Sequence, residues 1–385
     1  MSHQLKQLEA DHVMQTYKRL DLLLEKGKGC CVYDEAGKRY LDFVGGVATC
    51  PVGHSNPVVT AAIINQAEQL ISVSNLYYTE PQILLAQKLS QLSGLQKSFF
   101  GHSGADSIET AIKLAKKVTR KKEFIAFKDA FHGRTTGSLA LTWKPQLKES
   151  FLPLAPVVKF ADYGDVKGLE ALITDNTAAV VLEPIQGEAG IIVPEENFLR
   201  QVREVCTRHK ILMIVDEVQT GVGRTGKFFA YQHAGIKPDI VTAAKGLANG
   251  LPIGVCLSDY ELGRGDHGST LGGNNLSAAA ALATIGYIEK HNLMKNATTV
   301  GNYLTDKLKP LQKTTPLIKS VRGQGLMIGI ELNQDKASLI VEQAQQRGLL
   351  CNAATPNVVR LLPPLILTKR QADDGLVILR GAFKL

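Results

Sequence analysis

Between Lys97 and Asp259 the chain carries seven short, nearly continuous apolar segments, at residues 98–100, 124–127, 157–160, 178–182, 211–215, 240–243 and 253–257, alternating with helical or loop stretches. A strand wetted on one face alternates apolar and polar residues, whereas a run that is apolar at every position has both faces buried. Such runs, separated by helices, predict an α/β fold: a mostly parallel seven-stranded sheet with helices on both faces. Ligands of such sheets bind where the strands end. Three of the segments end in a charge: Glu183 follows Leu182, Asp216 follows Val215, and Lys245 follows Ala243-Ala244. The spacing therefore predicts two carboxylates and one amine gathered around one ligand.

The 385 residues exceed what one small core requires and suit a large domain with a smaller companion. Residues 1–25 read as an amphipathic arm, and 31–34 and 39–43 as a hairpin around Glu35-Ala36-Gly37-Lys38. Helical spacing of apolar residues predicts helices over 56–71, 81–92 and 276–289. Residues 325–332, a helix over 337–347 and the stretch 358–367 form a compact α+β unit near the C-terminus. No internal repeat interrupts this order.

The formal charge of +8 comes from Lys and Arg interleaved with acids, not from a basic run, so no nucleic-acid partner is expected and small dicarboxylates suit the field equally well. The polar opening Met1-Ser2-His3-Gln4 and the lack of a long apolar stretch predict a cytoplasmic protein without a membrane partner. The six cysteines form no CxxC pair and no zinc-like spacing; they read as reduced and structural, with no metal site.

Ser103-Gly104-Ala105-Asp106 follows a strand and opens a helical run, with Ser103 as N-cap and Asp106 as its partner in a capping box. The free N–H groups of such a terminus form a phosphate seat, and Gly104 lets a ligand approach the backbone. Gly221-Val222-Gly223-Arg224-Thr225-Gly226-Lys227 nearly matches a nucleotide-binding P-loop, but Phe228 stands where a magnesium-binding hydroxyl belongs. No GxGxxG joins a first strand to its helix, so a dinucleotide site is not indicated either.

In this order and spacing the residues resemble the class III aminotransferases, pyridoxal phosphate enzymes of fold type I, and within them the acetylornithine branch; the likeness runs from about Tyr17 to the C-terminus. The resemblance implies pyridoxal 5'-phosphate as cofactor and a homodimer with active sites at the subunit interface. It also implies a small domain drawn from both chain ends: 1–55 as arm and part of that domain, 56–295 as the cofactor-binding domain, and 296–385 as the rest. By the same resemblance, Lys245 matches the Schiff-base lysine, Asp216 the partner of the ring nitrogen, and Gln219 the partner of the ring oxygen. Phe131 resembles the residue stacked on the ring, and Ser103-Gly104-Ala105 the phosphate loop. Thr270 resembles the residue that reaches the phosphate of the neighbouring subunit. Glu183 is similar to the acid near substrate and ring. Arg134 is similar to an arginine holding a substrate carboxylate, and Arg360 to the α-carboxylate arginine, with Glu188 as the gate that pairs with it. Ser269, beside Thr270, falls among the substrate-binding positions.

The chemistry needs these types. Lysine supplies an amine and then a base, while aspartate keeps a pyridine nitrogen protonated so that the ring draws electrons from the carbon being deprotonated. The branch implies transfer from N2-acetyl-L-ornithine to 2-oxoglutarate in arginine biosynthesis, small amino acids and 2-oxo acids being the partners. Val47 stands where the ornithine branch has a tyrosine that recognises a free amino-acid end, which favours an acylated donor. His102 and Asp106 depart from the usual Asn and Glu, and Ala244 from the usual Ser before the lysine. Succinylornithine, succinyldiaminopimelate, ornithine, 4-aminobutyrate and acylated lysine intermediates stay open as donors. An aminomutase or decarboxylase on the same fold would keep Asp216 and Lys245 yet have less need of the Glu188 and Arg360 pair.

Overall fold

The computed structural model describes residues 2–384. All seven apolar segments become strands of a single sheet, in the order Lys97–Gly101, Gly254–Ser258, Ile240–Ala243, Leu212–Asp216, Thr177–Leu182, Glu123–Phe127, Val157–Ala161. Gly254–Ser258 runs antiparallel to both of its neighbours, and every other pairing is parallel. Successive side chains enter different cores. Ile125, Phe127, Val180, Leu182, Met213, Val215, Val241 and Ala243 pack into one cluster. Phe124, Ala126, Ala179, Val181, Leu212, Ile214 and Ile240 pack into a second. This two-sided burial is why the strands read as uninterrupted apolar runs, and each fully buried Val, Leu or Ile contributes about 1.5–3 kcal/mol.

Helix Gly104–Thr119 covers the second face with Ile108, Ala111, Ile112 and Ala115. Phe198–Arg208 and Asn275–Lys290 cover the first with Phe198, Val202, Ala278 and Ile285. Helix Pro57–Gln69 starts on Asn56, whose side chain accepts bonds from the Val58 and Val59 N–H groups, a cap contributing about 1 kcal/mol.

Among the described residues, two four-stranded sheets accompany the large one. In one, Leu24–Lys28, Cys31–Asp34 and Arg39–Asp42 form antiparallel pairs, and Leu349–Leu350 from the far end of the chain adds in parallel beside Leu41 and Asp42. In the other, Ile318–Gln324, Met327–Leu332, Val358–Leu361 and Asn352–Thr355 are neighbours in that order. The expected 358–367 element thus stops as a strand at Leu361, because Pro363-Pro364 offers no N–H for a ladder. Among the described residues, no helix is long and apolar enough to cross a membrane.

Candidate active site

Because five neighbouring strands of the large sheet run parallel, their C-terminal ends deliver side chains to one edge. Register aligns them: Asp216 lies opposite Thr242, and Leu182 opposite Val215. Asp216 ends its strand, Glu183 is one residue past Leu182, and Lys245 is two past Ala243. A cavity of about 270 Å³ opens there, lined by Gly104, Ala105, Phe131, Arg134, Glu183, Glu188, Asp216, Gln219 and Lys245, with His132, Gly133 and Val218.

Lys245 leaves the strand in a left-handed conformation, φ 29°, in which a non-glycine residue is strained. Burial lowers the pKa of its amine, partly offset by the negative charge of Glu188. Such an amine loses its proton more readily than an exposed lysine and is better able to act as nucleophile and base. Asp216 Oδ2 lies 2.7 Å from His132 Nδ1, while Oδ1 accepts from the Val218 N–H at 3.0 Å and from Thr242 Oγ1 at 3.3 Å. Burial alone would keep His132 neutral, but Asp216 and the charge of Glu183 hold its pKa above the ordinary imidazole value. Among the described residues, His132 Nε2 is buried without a hydrogen-bond partner.

Glu183 braces two loops. Its Oε1 accepts from the Phe131 N–H and its Oε2 from the Gly187 N–H, both at 3.0 Å. Burial pushes its pKa to about 7, with His132 pulling down and Asp216 pushing up. Arg360, fully buried on Val358–Leu361, donates from Nη1 to Glu188 Oε1 at 2.6 Å and to the Gly187 carbonyl at 3.1 Å. Gln219 Nε2 donates to the same Glu188 oxygen at 3.2 Å. Burial works against the charge of Glu188, yet Arg360 and Lys245 outweigh it and hold the carboxyl below its usual range. Arg134 is exposed at the rim, its guanidinium 5.6 Å from the centre of the Phe131 ring.

Ser103 caps helix Gly104–Thr119 by accepting from the Asp106 N–H. The capping box is not completed: Asp106 Oδ2 turns back to the His102 N–H at 2.9 Å and lies 3.3 Å from His102 Nδ1. Two of the three departures noted in the sequence, His102 and Asp106, thus contact each other. Ser269 and Thr270 do not line the cavity around Lys245; they border a neighbouring space of about 480 Å³ with Phe99, His102, Glu109 and His267. Val47 packs with Ala48, Ile185, Ile191, Met327 and Leu362. It lies in a left-handed turn, Gly45 to Ala48, with φ between 55° and 69° throughout. The P-loop lookalike has a structural role: Arg224 is buried and donates from Nη1 to the carbonyls of Leu326 and Pro363.

The sequence reading missed His132, although it stands inside the Phe131-His132-Gly133-Arg134 motif. It also missed Glu109, whose Oε1 accepts from Thr135 Oγ1 and from the Gly137 and Ser138 N–H groups, capping helix Thr136–Leu141 beside Arg134. No local signal marks a cap supplied from another helix.

The donor set fits pyridoxal phosphate. An amine, a buried carboxylate, an aromatic ring and the open end of a helix converge on one cavity, and Gly104 keeps its backbone bare there. A methyl group on Gly104 would meet Val218 Cγ1 at 2.7 Å. The molecule is a pyridoxal phosphate-dependent transaminase with the fold-type I architecture.

The chain belongs to the class-III aminotransferase family, whose sequence profile matches residues 13–383. It is 43% identical over 375 residues to the acetylornithine aminotransferase of Archaeoglobus fulgidus, covering 96% of this chain and 98% of that one. The crystal structure of acetylornithine aminotransferase from Elizabethkingia anophelis superposes with a TM-score of 0.89 at 34% identity, covering 99% of this chain and 98% of that one. The ornithine aminotransferase of Toxoplasma gondii superposes with a TM-score of 0.96 at 31% identity, covering 100% and 95%. The shared fold therefore spans both acylated and free donors, and the choice between them rests on side chains.

Proposed function

We propose that this chain is an acetylornithine aminotransferase, converting N2-acetyl-L-ornithine and 2-oxoglutarate to N-acetyl-L-glutamate 5-semialdehyde and L-glutamate in arginine biosynthesis. The observation that carries this reading is the Arg360–Glu188 pair at 2.6 Å beside the cavity of Lys245. Acetylornithine reacts at a terminal amine with no carboxylate next to it, so the arginine must be masked. Glutamate and 2-oxoglutarate carry a carboxylate at the reacting carbon, so it must be released. An acid that pairs with the arginine and can swing away serves both.

Bound pyridoxal phosphate would supply a carbonyl for the incoming amine and a protonated ring that draws electrons from the carbon being deprotonated. Lys245 would hold the group through Nζ, then take the proton from the amine-bearing carbon and return it one position along, a geometry open to a single base on one face. Asp216, oriented by His132, would keep the ring nitrogen protonated. Gln219 would meet the ring oxygen, Phe131 would stack on the ring, and the N–H groups from Ser103 to Ala105 would seat the phosphate. Glu183 would sit beside ring and substrate. Arg134 at the rim would take the distant carboxylate, that of acetylornithine or the far one of glutamate. Val47 offers no polar group to a free α-amine, which supports the acylated donor.

The chain would work as a homodimer. Leu76, Tyr77 and Tyr78 are 84%, 70% and 97% exposed, an apolar patch of the kind that marks an interface. Asn75 donates to the Ser269 and Gly272 carbonyls, joining this patch to the loop of Thr270, which would reach the phosphate of the neighbouring subunit. Sedimentation of the purified protein tests the dimer. The domain limits proposed are 1–55 with 296–385 for the small domain and 56–295 for the large one.

The test is a panel of donors, acetylornithine, succinylornithine, ornithine, succinyldiaminopimelate and 4-aminobutyrate, each with 2-oxoglutarate and assayed for glutamate. Acetylornithine should lead ornithine clearly. Equal use of the two, or preference for 4-aminobutyrate, removes the substrate assignment and leaves the transaminase standing.

A further inference from the structure

The loop that carries Glu188 has little regular structure: between Leu182 and Phe198 its backbone is tied across itself by the reciprocal bonds of Gln186 and Ile192, at 3.1 and 3.0 Å. Two of its residues lie in the left-handed region, Gly190 at φ 99° and Ile191 at φ 58°. For a β-branched residue this conformation is a true outlier, and it persists only where the surroundings over-determine it.

Arg322, on Ile318–Gln324, supplies that determination. Its Nε donates to the Ile191 carbonyl at 2.9 Å and the Gly190 carbonyl at 3.2 Å, and its Nη2 donates to the Gly190 carbonyl at 2.8 Å. The other arm of the fork turns the opposite way, with Nη1 donating to Ser320 Oγ at 3.1 Å and pairing with Glu331 Oε2 at 2.5 Å. Lys319 holds the second Glu331 oxygen at 2.8 Å. A planar five-donor fork can grip adjacent carbonyls and a carboxylate together, and an ammonium cannot.

The anchor point matters because of what lies beside it. Glu331 belongs to Met327–Leu332, which pairs with the strand of Arg360 so that Gly329 faces Arg360. A methyl group on Gly329 would crowd the Gly190 carbonyl and Ile191 Cβ, both at 3.0 Å. The backbone just after Glu188 is therefore laid on the very sheet that carries Arg360.

We propose that Arg322 is a positioning residue for the carboxylate gate: it fixes the Gly190–Ile191 backbone to the Arg360 sheet, so that Glu188 opens by side-chain rotation alone and rests in the closed pair. This deepens the reading of Glu188 and Arg360 given above and depends on it. A loosened loop covers Arg360 less well, which penalises the acetylornithine half-reaction, run with the gate shut, more than the glutamate half-reaction, run with it open.

The test uses holoenzyme of wild type, Arg322→Lys and Arg322→Met, with single-turnover rates against acetylornithine and against glutamate. The ratio of kcat/KM values should shift toward glutamate by about tenfold in Arg322→Met, the loss of charge-assisted bonds to backbone, and less in Arg322→Lys. In a Glu188→Gln background the same substitutions should no longer move the ratio, a coupling that a merely structural role would not produce. Amide exchange at Gly190 and Ile192 should quicken in both variants while Leu212–Asp216 keeps its protection. Equal losses in both half-reactions, a shift that survives Glu188→Gln, or unchanged exchange at Gly190 and Ile192 each overturn the proposal. Wild type that ignores acetylornithine would instead sink the functional reading, and the exchange result would still judge the anchor.

Discussion

His132 and Asp216 face each other in the buried interior of the site, Nδ1 to Oδ2 at 2.7 Å, and among the described residues the other ring nitrogen, Nε2, has no hydrogen-bond partner. The imidazole is thus committed to one task, holding the carboxylate in place. Its deletion by His132→Ala leaves Asp216 only the Val218 N–H and the Thr242 hydroxyl. Breaking a buried pair of this kind costs about 3 kcal/mol, so the apoprotein should melt lower. The rate of proton abstraction should fall further than this loss of stability alone would bring. Thermal unfolding without cofactor and single-turnover rates with it separate the two effects.

Glu217, next to Asp216, is fully buried, accepting from the Tyr231 N–H at 2.8 Å and from Thr220 Oγ1 at 2.6 Å. Burial raises its pKa from 4.5 to about 7. An acid whose folded pKa is raised keeps its proton longer in the folded state than in the unfolded one. Its contribution to stability is therefore complete below pH 4.5 and lost as the pH climbs to about 7. The loss is on the order of 3 kcal/mol. Glu217→Gln imitates the protonated acid and should flatten that part of the stability profile, leaving the variant more stable than wild type above pH 7. Denaturant melts across this range check the slope, and a parallel profile would refute it.

How far the sequence reveals this molecule depends on what each segment buries. The seven strands of the large sheet were readable because both faces are covered, and Glu183, Asp216 and Lys245 stood out as charges ending apolar runs. Ile318–Gln324 gave no such signal: its Lys319, Ser320, Arg322 and Gly323 leave it polar, because this strand works by gripping the Gly190 loop. Leu349–Leu350 is too short to announce its pairing with Leu41. Nor could spacing foretell that Asp106 would reach His102 instead of completing the capping box, since both bonds lie within one turn of the same helix end.

Arg360→Lys tests the division of labour at the gate. Lysine keeps the charge but loses the planar fork that matches a carboxylate. The apparent affinity for 2-oxoglutarate should fall by about 100-fold, the equivalent of about 3 kcal/mol for a charge-assisted pair. The acetylornithine half-reaction, which needs no carboxylate at the reacting carbon, should lose far less. Titrating the two half-reactions separately reads this difference, and equal losses would place Arg360 outside substrate binding.

Val47 carries the remaining argument about the donor. It sits in the left-handed turn at φ 59°, where Gly45 and Gly46 are at ease and a β-branched residue is not. The turn is fixed at its start by Asp42, whose Oδ1 accepts from the Val44 and Gly45 N–H groups, and Asp42 is in turn paired with His54 at 2.7 Å. Val47 is not among the residues lining the cavity of Lys245; on the function proposed above it meets the donor, and a β-branched residue held in this conformation fits a side chain kept for that contact. Val47→Gly relieves about 1 kcal/mol of strain and gives back a similar amount in chain entropy and lost packing, so the melting temperature should barely move. On the proposed donor role of Val47, the preference for acetylornithine over ornithine should narrow in this variant. Equal kcat/KM ratios in wild type and variant would show that the donor is chosen elsewhere.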